Sequence, residues 1–149
     1  MLTLNLGCGY RKIENAVNID SRAVVGPDLI CDVTEGLPFS DDSVDQVFAT
    51  DFLEHIKPDD VIGVIEEIYR VLKPNGFFFS LTPSTDGRGA FQDPTHRSFW
   101  NINSFIYYSD DEHRKLYGIK AKFRGTVKDI LTNDKMKIIH TKAELYAVK

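Results

Sequence analysis

The sequence predicts an α/β fold with a mostly parallel sheet and an antiparallel edge. Three observations lead to this prediction: short apolar runs bounded by turn residues, one periodic helix between the fourth and fifth runs, and two alternating runs near the C-terminus. Short, mostly apolar strands are typical of a parallel sheet covered on both faces. Since domains have roughly 100–200 residues, we expect a single domain over residues 1–149.

Five apolar runs form the parallel part of the predicted sheet, and each stops at a turn residue or an acidic residue. They span residues 2–6, 16–19, 28–31, 44–49 and 76–82. Between the fourth and fifth runs, apolar residues recur at helical spacing from Val61 to Leu72. Pro58 stands near the helix start, where its missing N–H costs nothing. A strand–helix–strand unit of this kind predicts a right-handed parallel crossover.

The C-terminal part of the chain is predicted to contain antiparallel rather than parallel strands. Residues 103–117 are predicted to form one helix. Residues 123–131 and 137–148 alternate sufficiently to be strands, and the turn-rich residues 132–134 separate them. Two strands joined by such a turn predict an antiparallel pair, which would form the edge of the sheet.

Charge is distributed unevenly along the chain, whose net charge is −4. Residues 1–70 hold 5 Lys+Arg and 14 Asp+Glu, while residues 111–149 hold 10 and 5. This pattern fits either two solvated faces of opposite sign or a basic part that steers an anionic substrate. The basic excess is weaker than nucleic-acid binding usually requires. We therefore expect a small-molecule substrate rather than a nucleic acid.

The sequence also limits the compartment and the metal chemistry that we expect. No apolar run approaches the roughly 18 residues of a membrane span, and no basic segment precedes the first apolar run. Two cysteines cannot form a disulfide scaffold, and no Cys/His spacing matches a zinc site. We therefore expect a cytoplasmic protein without contact to a membrane and without a metal site.

Three polar features follow the first three predicted strands: Gly7-Cys8-Gly9, then Asp20, then Asp32. The carboxyl ends of parallel strands are where open α/β sheets bind ligands. Glycines let the backbone approach a ligand, and a carboxylate offers two acceptor oxygens to a pair of ribose hydroxyls. Either aspartate alone is also compatible with a helix or turn cap. Their repetition at successive strand ends favours a nucleoside site.

Together with further segments, these features resemble a class I S-adenosylmethionine-dependent methyltransferase of the small bacterial and phage type. The resemblance runs from about residue 2 to 83 and depends on Leu4–Gly9, Asn18–Asp20, Cys31–Val33, Leu37–Asp45, Phe52–Ile56 and Arg70–Gly76. It implies a Rossmann-like sheet of order 3-2-1-4-5-7-6 with strand 7 antiparallel. It also implies methyl transfer from S-adenosylmethionine to a small or polar acceptor.

The resemblance implies a role for each matching position. Asp20 would hold the ribose of the cofactor, Asp32 and Val33 the adenine, and the glycine loop the methionine part. The full set of implied cofactor-binding residues is Asn5, Gly7, Cys8, Gly9, Asp20, Ser21, Asp32, Val33, Thr50, Asp51, Phe52 and His55. Asn5 departs from the family, which usually has an acidic residue there. His55 either belongs to the wall of the cofactor site or caps the backbone at a helix start, and Glu54 could equally be a partner of a helix dipole.

A second departure from the family is the short first crossover. Only residues 10–15 separate the glycine loop from the second strand, whereas a crossover with its helix takes at least about 10–12 residues. We predict that the first crossover helix is shortened or absent. One side of the cofactor site is then either open or closed by a partner subunit, such as a second copy. A nicotinamide enzyme is disfavoured, because Lys12 stands where its third glycine is needed.

The substrate side is predicted to follow the fifth strand, where the glycine-rich residues 84–90 lead into the segment 91–100. A hydroxyl or ammonium acceptor must lose a proton, and His96 is the candidate catalytic base. Alternatively, His96 and Asp93 only brace the loop. A non-catalytic S-adenosylmethionine-binding subunit of a larger assembly also stays open. The aromatic residues of this region either line a substrate pocket or pack in the core: Phe99, Trp100, Phe105, Tyr107 and Tyr108.

Overall fold

Seven strands form one sheet in the computed structural model, which describes residues 1–149. The order across the sheet is β3-β2-β1-β4-β5-β7-β6, as predicted. Strand β7 pairs antiparallel with both β5 and β6, and the other pairs are parallel. The strands are β1 Thr3–Leu6, β2 Val17–Asp20, β3 Leu29–Ile30, β4 Val44–Thr50, β5 Leu72–Pro83, β6 Phe123–Asn133 and β7 Ile138–Ala147.

Helix α1 spans Pro58–Val71 and makes the crossover from β4 to β5. Proline occupies its first turn together with Asp59 and Asp60, whose charges complement the positive end of the helix dipole. One face of the helix is apolar and buried against the sheet, and it consists of Val64, Ile65, Ile68 and Val71. The predicted helix and the parallel pairing of the two strands that it joins are thus confirmed.

The segment after β5 covers the same face of the sheet as α1, because both contribute to one apolar core. It begins with the short helix α2 (Gly89–Gln92). The prediction of one helix over residues 103–117 is wrong, since a 3-10 helix (Ile102–Tyr108) and helix α3 (Asp111–Tyr117) replace it. The break has a local cause: Asp110 accepts the backbone N–H of His113 and caps a new helix.

The predicted loss of the first crossover helix is confirmed, because no helix lies between β1 and β2. The connections from β2 to β3 and from β3 to β4 also lack an α-helix. Each contains only a three-residue 3-10 turn, Ala23–Val25 after β2 and Val33–Glu35 after β3. Helix α1 is therefore the one long helix of the parallel part of the sheet. No helix of the chain has both the length and the apolar character needed to span a membrane.

Side-chain amides fasten the β1–β2 connection to the sheet. Asn5 and Asn18 are partners in the register of β1 and β2, and Nδ2 of Asn5 donates to Oδ1 of Asn18 at 2.9 Å. The same Nδ2 atom donates to the carbonyl oxygen of Arg11, and the backbone N–H of Ile13 donates to Oδ1 of Asn18. Since both asparagines are buried, these bonds hold the loop where a packed helix would otherwise lie.

Candidate active site

The carboxyl ends of β1, β2 and β4 border a cavity of about 520 Å³, here called the strand-end cavity. Cavities of roughly 300–1,000 Å³ are typical small-molecule sites. Eight of the residues predicted from the sequence line it: Gly7, Asp20, Ser21, Asp32, Val33, Asp51, Phe52 and His55. Further lining residues were not predicted, and they are Arg22, Cys31, Thr34, Ile56, Lys57, Asp60 and Thr95.

The remaining predicted site residues do not line the strand-end cavity: Asn5, Cys8, Gly9, Thr50 and His96. The amide of Asn5 is engaged with the neighbouring loop, as described above. Cys8 is buried, and its Sγ atom lies 3.2 Å from Nζ of Lys12. Gly9 acts on the cavity indirectly, because its backbone N–H donates to Asp20 at 2.9 Å.

Asp20 ends β2 and is only 6% exposed. Its carboxylate accepts the backbone N–H groups of Gly9 and Arg22, each at 2.9 Å, and Nε of Arg22 at 3.2 Å. Burial alone would raise the pKa of Asp20, but the hydrogen bonds from Arg22 and Gly9 outweigh it and hold the pKa below its usual value. The cavity wall therefore carries a fixed negative charge.

Gly7 lies against the ring of Phe52. A Cβ atom added to Gly7 would lie 2.3 Å from Cδ2 of Phe52, and the φ angle of Gly7 is +60°. Any side chain here would be strained by both the backbone conformation and this contact. Gly7, which was predicted to let a ligand approach, is thus also required because the ring of Phe52 packs against it.

Asp51 joins the end of β4 to β7. Its carboxylate accepts Nη1 of Arg11 at 2.8 Å and lies 3.0 Å from Nε2 of His140. Burial would raise the pKa of Asp51, but the bonds to His140 and Arg11 outweigh it and lower the pKa below the usual value. Sequence reasoning missed His140, because 89 positions separate it from Asp51 and no local motif marks the pair.

Asp32 caps the 3-10 turn that follows β3. Its Oδ1 atom accepts both the backbone N–H of Thr34 at 3.0 Å and the hydroxyl of Thr34 at 2.7 Å. The carboxylate is exposed at the cavity wall, and Val33 beside it is buried. Asp32 thus has the capping geometry that was one of its two predicted roles, while it also borders the cavity.

Glu54 and His96 lie behind His55. Glu54 is only 2% exposed, and neither of its carboxylate oxygens accepts a hydrogen bond from another residue. Burial raises the pKa of Glu54 to about 8, although its own backbone N–H opposes the rise. The side chain of His96 is 6% exposed, and its Nδ1 atom lies 2.8 Å from the carbonyl oxygen of Ala90.

A second cavity of about 570 Å³, here called the apolar cavity, lies between the start of α1 and the segment after α2. Four of the five aromatic residues named above line it, and two of these, Trp100 and Tyr108, also pack in the core, as Phe105 does. Arg97 supplies its charged group. The full lining is Pro58, Val61, Ile62, Arg97, Ser98, Phe99, Trp100, Ser104, Tyr107, Tyr108, Tyr117 and Ile119.

The topology and the strand-end cavity define a Rossmann-like α/β fold with a cavity at the carboxyl ends of the strands, where open α/β sheets bind their ligands. A family model described as a methyltransferase domain matches residues 9–80. With the sheet order described above, this match makes the chain similar to class I S-adenosylmethionine-dependent methyltransferases. No curated protein matches the chain.

Solved structures share the fold at low sequence identity. An S-adenosylmethionine-dependent methyltransferase from Archaeoglobus fulgidus aligns with a TM-score of 0.73 at 15% identity, over 98% of this chain and 85% of its own. A 1,6-didemethyltoxoflavin-N1-methyltransferase from Burkholderia thailandensis was solved with S-adenosylhomocysteine. It aligns with a TM-score of 0.68 at 16% identity, over 99% of this chain and 71% of its own. The [4+2]-cyclase SpnF aligns with a TM-score of 0.72 at 15% identity, over 99% of this chain and 74% of its own. The same fold therefore also serves other chemistry.

Proposed function

We propose that this enzyme transfers a methyl group from S-adenosylmethionine to a small or polar acceptor by in-line displacement. The observation that carries the proposal is the ionised carboxylate of Asp20, fixed at the wall of a cavity beside the glycine turn at Gly7. A small-molecule acceptor is supported by the methyltransferase from Burkholderia thailandensis, which was solved with bound 1,6-didemethyltoxoflavin.

The strand-end cavity suits a nucleoside cofactor. A carboxylate has about four lone-pair sites, so Asp20 can accept two ribose hydroxyls while it keeps its backbone bonds. The guanidinium of Arg22 is 63% exposed and is free to move aside for them. Asp32 and Val33 border the place of the adenine, and Gly7, Asp51 and Phe52 border the place of the methionine part. We assign Ser21 and His55 to the same wall, and Asn5, Cys8, Gly9 and Thr50 to its support.

When bound, S-adenosylmethionine supplies a methyl carbon activated by a sulfonium group. A lone pair of the acceptor attacks that carbon, the carbon–sulfur bond breaks, its electron pair stays on sulfur, and the acceptor loses a proton. The protein contributes mainly by holding the acceptor and the methyl carbon close and collinear. We assign promotion of the proton loss to the Nε2 side of His96, because its Nδ1 atom is engaged by Ala90.

Two measurements test the proposal. Calorimetry should show one S-adenosylmethionine per chain. Radiolabelled methyl transfer should then be assayed with a cell extract separated into dialysable and macromolecular fractions. We expect label in the dialysable fraction. Label confined to protein or nucleic acid would contradict a small acceptor, and binding without any transfer would support the non-catalytic subunit instead.

A further inference from the structure

Three side chains with metal-ligand chemistry converge beside the strand-end cavity. Glu54, His55 and His96 each offer one ligand atom, and these atoms all lie within 4.8 Å of one another. Nε2 of His55 is 4.0 Å from Oε1 of Glu54. The two imidazole rings meet edge to face, with centroids 5.1 Å apart. Glu54 and His55 follow β4, whereas His96 comes from the loop after α2, so the fold itself assembles this group.

Nδ1 of His96 is engaged in a hydrogen bond, whereas Nε2 has none and lies 3.8 Å from Oδ2 of Asp93. The Nδ1 atom lies 2.8 Å from the carbonyl oxygen of Ala90, which can only accept. Nδ1 therefore carries the proton, and Nε2 keeps its lone pair. A ring N–H that donates to a backbone carbonyl is the usual outer contact of a metal-bound histidine.

His55 is oriented in the same way. Its Nδ1 atom lies 3.3 Å from Oγ1 of Thr95, and that hydroxyl donates its single proton to Oδ1 of Asp93 at 2.7 Å. Oγ1 can therefore only accept from the Nδ1–H group of His55. Nε2 of His55 again keeps its lone pair, and it is the atom next to Glu54.

Glu54 completes the group as a buried carboxylate without a partner. Both of its oxygens are inaccessible and without a hydrogen bond from another residue. A buried polar group in this state costs free energy unless something binds it. Its backbone carbonyl oxygen accepts the N–H groups of Arg97 and Ser98 at 2.7 and 3.1 Å, which ties the loop of His96 to the loop of Glu54.

We infer that Glu54, His55 and His96 bind one divalent transition-metal cation of the zinc class. Two imidazoles and one carboxylate suit zinc, manganese, iron or cobalt, whereas calcium and magnesium prefer oxygen ligands. Ligands about 2.0–2.2 Å from a tetrahedral ion lie about 3.3–3.6 Å apart. Since Nε2 of His55 and Oε1 of Glu54 are now 4.0 Å apart, small side-chain rotations would bring them into place.

The cation would give the acceptor a defined place. Three protein ligands leave the fourth position of a tetrahedral ion open, and His55 lines the strand-end cavity. If the proposed methyl transfer holds, on which this step rests, a hydroxyl group of the acceptor binds the cation at this open position. The cation would lower the pKa of the hydroxyl, whose proton would pass to water. The hydroxyl oxygen would then form a bond to the methyl carbon as the carbon–sulfur bond breaks and its electron pair stays on sulfur. His96 then promotes the proton loss through the cation, rather than by taking the proton itself.

The test measures metal binding directly, with the full chain stripped by a chelator. Calorimetric titration with Zn²⁺ should give one tight site per chain, and Co²⁺ should give visible absorption bands of low coordination number. Thr95→Val should weaken Zn²⁺ binding by roughly 10–100-fold, the usual cost of losing an outer contact. His96→Ala and Glu54→Gln should weaken it further. His113→Ala is the matched control, because His113 is exposed and pairs with Asp110 on α3.

Absence of a one-equivalent site in the wild-type chain would overturn the inference. Equal Zn²⁺ affinity of wild type and Glu54→Gln would also overturn it, and circular dichroism confirms that this near-isosteric variant is folded. Loss of the site in His113→Ala would show adventitious surface binding and overturn it as well. These outcomes are distinguishable from failure of the proposed function, because calorimetry with S-adenosylmethionine and transfer of label are measured separately.

Discussion

The guanidinium of Arg22 lies over the carboxylate of Asp20, with Nε 3.2 Å from Oδ1 and Nη2 3.5 Å from Oδ2. The pair is asymmetric, since the Asp20 side chain is 6% exposed and that of Arg22 is 63% exposed. The buried partner is held by backbone N–H groups, whereas the exposed partner is held mainly by the ion pair. Arg22 can therefore leave without freeing Asp20, and this asymmetry guides the first two predictions.

Asp20→Asn should weaken S-adenosylmethionine binding by about 1.5–3 kcal/mol, the scale of hydrogen bonds to charged groups. The amide is similar in size but lacks the charge and one pair of acceptor sites. Isothermal titration calorimetry provides the measurement. Asp59→Asn, on the exposed first turn of α1, is the control and should bind like wild type. Unchanged affinity in Asp20→Asn would contradict the ribose role.

Arg22→Ala should leave S-adenosylmethionine affinity equal to or above that of wild type, because it removes a competitor for the oxygens of Asp20. The free energy of unfolding should fall by no more than about 1 kcal/mol, because the guanidinium is mostly exposed and Asp20 keeps its bonds to backbone N–H groups. Calorimetry and urea unfolding give the two quantities. A tenfold loss of affinity would show instead that the guanidinium itself contacts the cofactor.

Gly7→Ala should destabilise the protein and abolish tight cofactor binding, since its Cβ atom would overlap the ring of Phe52. The matched control is Gly26→Ala, because Gly26 has a similar φ angle of +62° and no atom within 4 Å of an added Cβ. The control should lose only the roughly 1–2 kcal/mol of a left-handed backbone. Urea unfolding measures both losses, and equal values would mean that the Phe52 contact is harmless.

Glu67 should make the free energy of unfolding decrease as the solution becomes acidic. Its carboxylate accepts Nε and Nη2 of Arg70 and the backbone N–H of Leu37. The bonds from Arg70 lower the pKa of Glu67 below 4.5, although burial opposes them. A depressed pKa stabilises the fold above pH 4.5, and that stability is lost as the pH falls through the folded-state pKa.

Glu67→Gln should therefore be less stable than wild type at pH 7, and the difference should shrink as the pH falls below 4.5. Urea unfolding at a series of pH values provides the test. The exposed Glu35 gives a control, Glu35→Gln, whose stability should follow that of wild type at every pH. A constant difference between Glu67→Gln and wild type would contradict the linkage.

Local patterns sufficed for most of the fold. Apolar runs, the periodicity of α1 and the short link after Gly9 each depend on neighbours in the chain, and all three predictions are confirmed. The break at Asp110 was missed because a capping side chain outweighed helical spacing. At the site, strand ends marked Asp20, whereas tertiary pairs such as Asp51 with His140 carry no local signal.

The hydrogen bonds of the Asn5 and Asn18 side-chain amides affect how the stability of this region depends on temperature. Apolar contacts weaken on cooling, because burying apolar surface carries a large heat capacity change. The β1–β2 connection is fastened by hydrogen bonds to these two side chains, where related folds would place a helix packed on the sheet. The loop that follows the turn at Gly7 is thus held by interactions that keep their strength in the cold.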